Sequence, residues 1–273
     1  IGLMGKVLFF DIDGTLIDYN GNLPASTQDA LERARFNGHQ IVICSGRARY
    51  QMSETLLTLA DGIIGTTGAN VVFQGKTIYE HFLPEVTRKK IFRVLAQASA
   101  YGAGMSEKTM HMDERCYRYL RQNLFNIDDE NDRSQEIMGD TVVTDHPDET
   151  EDLKKVLYYG SKWTVARVAE ALSDCCDVTA SSFEKPADDC GEITAKGINK
   201  AFGMEKYLEY QGISPKDAIA FGDGPNDFDM IEYANVGVVM GNGREELKKL
   251  ADFVTRDVDK DGIQYAMKHL GLI

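Results

Sequence analysis

A chain of 273 residues exceeds the usual single-domain size, which predicts two domains or one core carrying a large insertion. With 43% hydrophobic and 27% charged residues, six prolines and no low-complexity tract, the composition is that of a globular protein and excludes extended disorder. A formal net charge of −13 argues against nucleic acid and anionic membranes as partners, so an anionic substrate would need local positive charge. The first apolar run, Val7–Phe10, is continuous, as in a parallel strand covered on both faces, and it ends at Asp11-Ile12-Asp13-Gly14-Thr15. A helical pattern follows over 26–37, closed by Gly38, then a strand Gln40–Cys44, a helix over 50–59 and the stretch Gly62–Gly65. From about 83 to 189 the texture changes to long polar helices at 84–100 and 114–123, with short strands at 156–159 and 177–182. The alternation then resumes: helix 197–210, strand 218–221, helix 226–233, strand 236–240 and helix 244–250. Strand–helix alternation predicts an α/β fold with a Rossmann-like parallel-sheet core at 1–82 and 190–273 and an inserted α/β domain at 83–189. Phe82-Leu83-Pro84 and Lys185-Pro186-Ala187 are the expected hinges.

The chemistry gathers at strand ends, where open α/β sheets bind ligands. With a side-chain period of two, Asp11 and Asp13 leave the first strand pointing the same way, and Gly14 permits a sharp turn behind them. Two ionised carboxylates so close repel each other, which implies a bound cation or one raised pKa. A plain Asp-Gly turn is the competing reading, whereas a calcium loop fails because its fifth and twelfth positions would be Thr15 and Asn22. Ser45-Gly46-Arg47 ends the second strand with a hydroxyl, a flexible amide and a guanidinium that can hold phosphate oxygens, or else simply begins the next helix. Asp223, Asn226 and Asp227 follow a buried strand and its glycines, placed either for a magnesium shell shared with Asp11 and the Asp13 carbonyl or for an acidic helix start. Lys196 precedes a helix, where a cation gains nothing from the dipole; a functional role and an ordinary solvated lysine both fit.

In this order, Asp11-x-Asp13-Gly14-Thr15, Ser45-Gly46-Arg47, Lys196-Gly197 and Gly222-Asp223-x-x-Asn226-Asp227 resemble the four motifs of the haloacid dehalogenase-like phosphatases. The insertion resembles the large α/β cap of the Cof-type subfamily, and Val239-Met240-Gly241-Asn242-Gly243 also matches that group's pattern. The resemblance implies a magnesium-dependent phosphatase acting on a small phosphorylated metabolite. Asp11 would be the nucleophile that becomes an aspartyl-phosphate, and Asp13 the acid and then the base. Ser45, Gly46, Arg47, Lys196 and Asn226 would hold phosphate or substrate; Asp11, Asp13 and Asp223 would hold the metal, with Asp227 behind them. A carboxylate suits the nucleophile's part because it is already ionised at neutral pH and needs no activating base. Thr67, in Thr66-Thr67-Gly68-Ala69-Asn70, stands where the family usually has Asn. A phosphotransferase or mutase would share the aspartyl-phosphate step, while a non-catalytic phospholigand-binding protein would have no need of Asp13. Specificity among leaving groups is expected from the insertion.

The cysteines are Cys44, Cys116, Cys175, Cys176 and Cys190: odd in number and without a Cys-x-x-Cys pair, they predict reduced thiols and a cytoplasmic setting. No apolar stretch reaches the ~20 residues that span a bilayer, and the start lacks a basic region followed by an apolar one. The histidines have no ligand spacing, and there is no phosphate-binding Gly-x-x-x-x-Gly-Lys-Ser/Thr loop and no serine nucleophile elbow.

Overall fold

A computed structural model describes residues 5–123, 140–181 and 188–273. The strands, in chain order, are β1 (Val7–Phe10), β2 (Gln40–Cys44), β3 (Gly62–Gly65), β4 (Asn70–Phe73), β5 (Lys76–Glu80), β6 (Tyr101–Met105), β7 (Thr109–Met112), β8 (Asp140–Val143), β9 (Lys155–Tyr159), β10 (Cys176–Ala180), β11 (Gly191–Ala195), β12 (Ala218–Gly222), β13 (Val236–Val239) and β14 (Phe253–Val254). They form two sheets, one in each of two compact units.

The first unit comprises residues 5–46, 54–80 and 199–273 of the described chain. Its sheet runs β14-β13-β12-β1-β2-β3-β4-β5, parallel from β14 to β3 and antiparallel through β4 and β5. Every residue of β1 is fully buried, as its unbroken apolar run requires of a strand covered on both faces. On one face Phe9 meets Tyr207 of the Lys200–Gln211 helix edge-on, with ring centroids 5.9 Å apart. On the other, Phe10 stacks on Phe221 of β12 at 4.5 Å. Centring β1 between β12 and β2 sets the carboxyl ends of these three strands side by side, which positions the site described below.

The second unit comprises Arg47–Ser53 and His81–Ile198, apart from its undescribed residues. Its sheet runs β10-β11-β9-β6-β7-β8, antiparallel except for the parallel pair β7 and β8. This division differs from the expected 83–189. Gly191–Ala195, read from sequence as re-entry into the core, is an interior strand of the second sheet, bonded to β10 on one side and β9 on the other. The return to the first unit therefore falls between Ile198 and Asn199. The chain enters the second unit briefly at Arg47–Ser53 and again after Glu80, the latter close to the expected hinge, and the hinge expected at 185–187 lies outside the described residues. Among the described residues no helix is long and apolar enough to cross a membrane.

Candidate active site

Asp11 leaves β1 at its carboxyl end, its N–H donating to the Phe221 carbonyl at 3.0 Å. The chain then doubles back: Gly14 N donates to Ile17 O at 2.8 Å and Leu16 N to Ile12 O at 2.9 Å. Gly14 sits at φ 81°, and a Cβ there would lie 2.2 Å from Asp223 Oδ2. Only glycine allows both the turn and the close approach.

At the end of β12 the Asp227 carboxylate folds back on the chain. Its Oδ2 accepts from the N–H groups of Asp223 and Gly224, both at 2.9 Å. A Cβ on Gly222 would lie 2.7 Å from Asp227 Cγ, so this glycine makes room for the carboxylate. Asp223 is held by two hydroxyls: Thr15 donates to its Oδ1 at 2.8 Å and Tyr19 to its Oδ2 at 3.1 Å.

Lys200 opens the helix that Asn199 caps through its side chain. Fully buried, its Nζ donates to Asp11 Oδ1 and to Asp227 Oδ1, each at 2.6 Å. A buried ammonium at the positive end of a helix is doubly costly, and these two carboxylates are what offset it. Asp11, Asp223 and Asp227 together place one carboxylate oxygen each within 4.8 Å of one another.

Burial pushes the Asp11 carboxyl well above the usual carboxylate range; Lys200 pulls it down, and the like charges of Asp227 and Asp223 add to the rise. Burial likewise pushes Asp223 up to about 7, with Asp227 contributing. Burial opposes the charge on Lys200, but Asp11 and Asp227 outweigh it and hold the ammonium protonated. Three buried carboxylates face one cation, so the cluster has an unmet need for positive charge. Its donors are all hard oxygens, the set that could hold a divalent cation.

The expected residues are thus sorted by the fold. Asp11, Asp223 and Asp227 are brought together, and Asp13 lies half-buried in the turn that follows Asp11. Ser45 is buried at the end of β2, its N–H donating to Ile64 O at 2.8 Å and its carbonyl accepting from Thr67 N at 3.0 Å; Gly46 follows it. Arg47 belongs to the second unit, where it donates to the Gln51 carbonyl at 2.8 Å. Asn226 is buried in the turn before Asp227, and its Oδ1 has no hydrogen-bond partner. Cys44 lies in the strand core as expected, its thiol held protonated by burial.

Lys196 is the correction. It lies in the second unit, exposed, with Nζ donating to the Ser173 carbonyl at 2.5 Å. The lysine of the carboxylate cluster is Lys200, four positions on. The helix starts at Lys200 rather than at 197, so the cation misplaced at a helix start is Lys200. Asn199, an N-cap residue directly before a lysine, was the available signal. Tyr19 and Thr15 were not singled out as partners of Asp223. Thr66 and Thr67 stand at φ 52° and 56°, a left-handed conformation that Asn tolerates and β-branched residues resist. Thr67 therefore keeps the backbone shape at a cost in strain of about 1–3 kcal/mol where the family's Asn would be at ease.

Residues 8–267 match the family model of the haloacid dehalogenase-like hydrolases. The chain is similar to the Bacillus subtilis (strain 168) protein named "Putative phosphatase YkrA", 33% identical over 277 residues that cover 98% of each chain. It is 26% identical to the 5-amino-6-(5-phospho-D-ribitylamino)uracil phosphatase YitU of the same organism, over 96% of each. The solved structure of the HAD subclass IIB sugar phosphatase BT4131 matches with a TM-score of 0.81 and 28% identity, over 98% of this chain and all of that one. A match across nearly the whole length, a sheet with carboxylates at its strand ends and phosphatases among the relatives agree: the chain belongs to the haloacid dehalogenase-like hydrolases and is a phosphatase of their Cof-type subfamily.

Proposed function

We propose that the chain hydrolyses small phosphomonoesters with magnesium, Asp11 taking the phosphoryl group before water removes it. The observation that carries this reading is the buried Lys200 bridging Asp11 and Asp227, with Asp223 in the same cluster. The donors fit magnesium: carboxylate oxygens of Asp11 and Asp223, the backbone carbonyl of Asp13, and a buried Asn226 carboxamide oxygen with no hydrogen-bond partner. When bound, the ion supplies the positive charge that lets a phosphate approach this acidic cluster.

This chain's own residues do the rest. Lys200 holds Asp11 Oδ1, which orients the carboxylate and leaves Oδ2 to meet phosphorus. Asp227, with Oδ1 committed to Lys200 and Oδ2 to two backbone N–H groups, is a positioning residue. Asp13 donates a proton to the departing alcohol and then takes one from water. Ser45 contributes a hydroxyl to the phosphate from the end of β2, and Asn226 a carboxamide. Since YitU and BT4131 are named for a ribitylamino-uracil phosphate and for sugars, the substrate class is a phosphorylated metabolite with a sugar or sugar-alcohol portion.

A panel of such phosphates assayed for released inorganic phosphate tests the reading. Turnover is expected with magnesium, to vanish on chelation and to return when the ion is restored. Turnover that survives thorough chelation, or phosphate passed to an added sugar in place of water, would overturn it.

The raised pKa of Asp223 gives a second expectation. A carboxyl at about 7 in the folded protein and 3.8 when unfolded contributes stability that is full below about 3.8 and is lost as pH rises through 7. Chelated protein should therefore lose stability from pH 4 to 8 at this site, by roughly 4 kcal/mol or on the order of ten degrees in Tm. Magnesium should then raise Tm more at pH 8 than at pH 5. Thermal unfolding with and without chelator measures this, and an equal magnesium effect at both pH values would count against it.

A further inference from the structure

Asp223 is the one carboxylate of the cluster that takes hydroxyl donors on both its oxygens in the structure: Thr15 on Oδ1 and Tyr19 on Oδ2. Thr15 is fully buried and belongs to the turn after Asp11. Tyr19 is different, 42% exposed and set in a loop of its own. That loop is closed by Asp18, whose Oδ1 accepts from the N–H groups of Asn20 at 2.9 Å and Asn22 at 2.8 Å. Its Oδ2 takes the Asn22 side chain at 2.9 Å, and the Asp18 N–H donates to the Asn22 carbonyl at 3.0 Å. A short loop bonded to itself in this way holds the intervening tyrosine in one place rather than letting it wander.

The tyrosine oxygen is also held from the opposite side. Asn242 Nδ2 lies 3.4 Å from the Tyr19 hydroxyl and donates to the Gly14 carbonyl at 2.8 Å, while Asn242 Oδ1 accepts from Val258 N at 2.8 Å. An amide donor at the phenol oxygen leaves its own O–H to point at Asp223. There is no spare room: a Cβ on Gly14 would come within 2.8 Å of the same hydroxyl. A self-closed loop, a carboxamide clamp and a glycine turn thus converge on one O–H···O contact.

We infer that the Tyr19 hydroxyl is a positioning group for the cation site, fixing the Asp223 carboxylate in the orientation in which it binds magnesium. The inference rests on the reading of Asp223 as a magnesium ligand. An ionised carboxylate has about four lone-pair sites, so a hydroxyl on each oxygen leaves capacity for an ion. With Tyr19 in place the group cannot turn about its terminal torsion, a broad and soft one in a free aspartate. Without it, Oδ2 is left to water and the carboxylate must be ordered when the ion arrives. Partners of this kind behind a metal ligand affect affinity by about 10–100-fold.

The test is calorimetric titration of magnesium into the full chain and into Tyr19→Phe, which removes one oxygen and keeps the ring. The magnesium Kd is expected to rise about tenfold or more, and the magnesium concentration for half-maximal turnover should rise by the same factor. Because the ring is surface-placed, the chelated variant should unfold at a temperature close to that of the parent. A change in unfolding with no change in Kd would mark Tyr19 as merely structural and overturn the inference. So would an unchanged or tighter Kd, the latter meaning that Tyr19 competes with the ion. If the parent itself binds no magnesium, the metal reading fails first and the inference with it, a result distinct from parent and variant binding alike.

Discussion

Lys200→Met is expected to abolish useful turnover while Lys196→Met leaves it within about twofold, the range of ordinary surface substitutions. Lys200 is fully buried and is the ammonium between Asp11 and Asp227. Removing it deprives Asp11 of its orienting donor and the developing phosphoryl charge of a fixed cation, and loss of one such group typically costs about 10²–10³ in kcat. It also leaves two carboxylates buried and unpaired, at about 3–5 kcal/mol of stability. Lys196 spans only an exposed contact to the Ser173 carbonyl, so its loss should touch neither quantity. Folding and chemistry are separated by the pair Lys200→Met with Asp227→Asn: one charge of each sign is gone, and the amide oxygen can still accept from the Asp223 and Gly224 N–H groups. That double variant should recover much of the stability and none of the turnover. Steady-state kinetics with thermal unfolding on the four proteins decides; activity lost with Lys196 and kept with Lys200→Met would return the role to Lys196.

The contrast between these two lysines shows where the sequence was informative. The fully buried strands of the first sheet were legible because burial on both faces forces an unbroken apolar run, as in Val7–Phe10, and because the acids at their ends break that run abruptly. Asp11, Asp223 and Asp227 were therefore marked as candidates by local pattern, and only the combined motifs and the resemblance they carry set the turn and helix-start readings aside. Helix starts were not so sharply written. The difference between 197 and Lys200 changes which side chain enters the site, and it is decided by Asn199 accepting from the Phe202 N–H, a contact with little weight in a hydrophobic pattern. The second unit was harder still. β6, Tyr101-Gly-Ala-Gly-Met105, was not among the expected elements because glycine disfavours strands, yet Gly102 faces Phe92 and Leu95 and Gly104 faces Leu153, with no space for a Cβ. β11 was misassigned for a related reason: its identity as an interior strand is set by pairing with β9, whose register partner for Gly191 is Tyr158, 33 positions earlier, as well as with β10. Tyr19 could not have been paired with Asp223 by spacing at all, since 204 positions separate them.

Asp11→Asn and Asp13→Asn should fail in different ways. At Asp11 the amide is a poor nucleophile and a weak ligand for a hard cation, so no turnover should remain. Its stability should change less than its activity: Asp11 carries a raised pKa from burial and from Asp227 and Asp223, so a neutral group there removes a repulsion as well as a bond to Lys200. At Asp13 the loss is of proton transfer, typically worth about 10²–10⁴-fold. A phosphate ester whose alcohol is acidic, such as a nitrophenyl phosphate, needs little help in leaving, so with that substrate Asp13→Asn should still phosphorylate Asp11 and then stall, because water has no base. Acid-quenched protein analysed by peptide mass spectrometry should carry one added phosphoryl group on the peptide containing Asp11 in the Asp13→Asn variant and none in Asp11→Asn. A label on any other residue, or turnover by Asp11→Asn at a rate near that of the parent, would show that the phosphoryl group travels by another route.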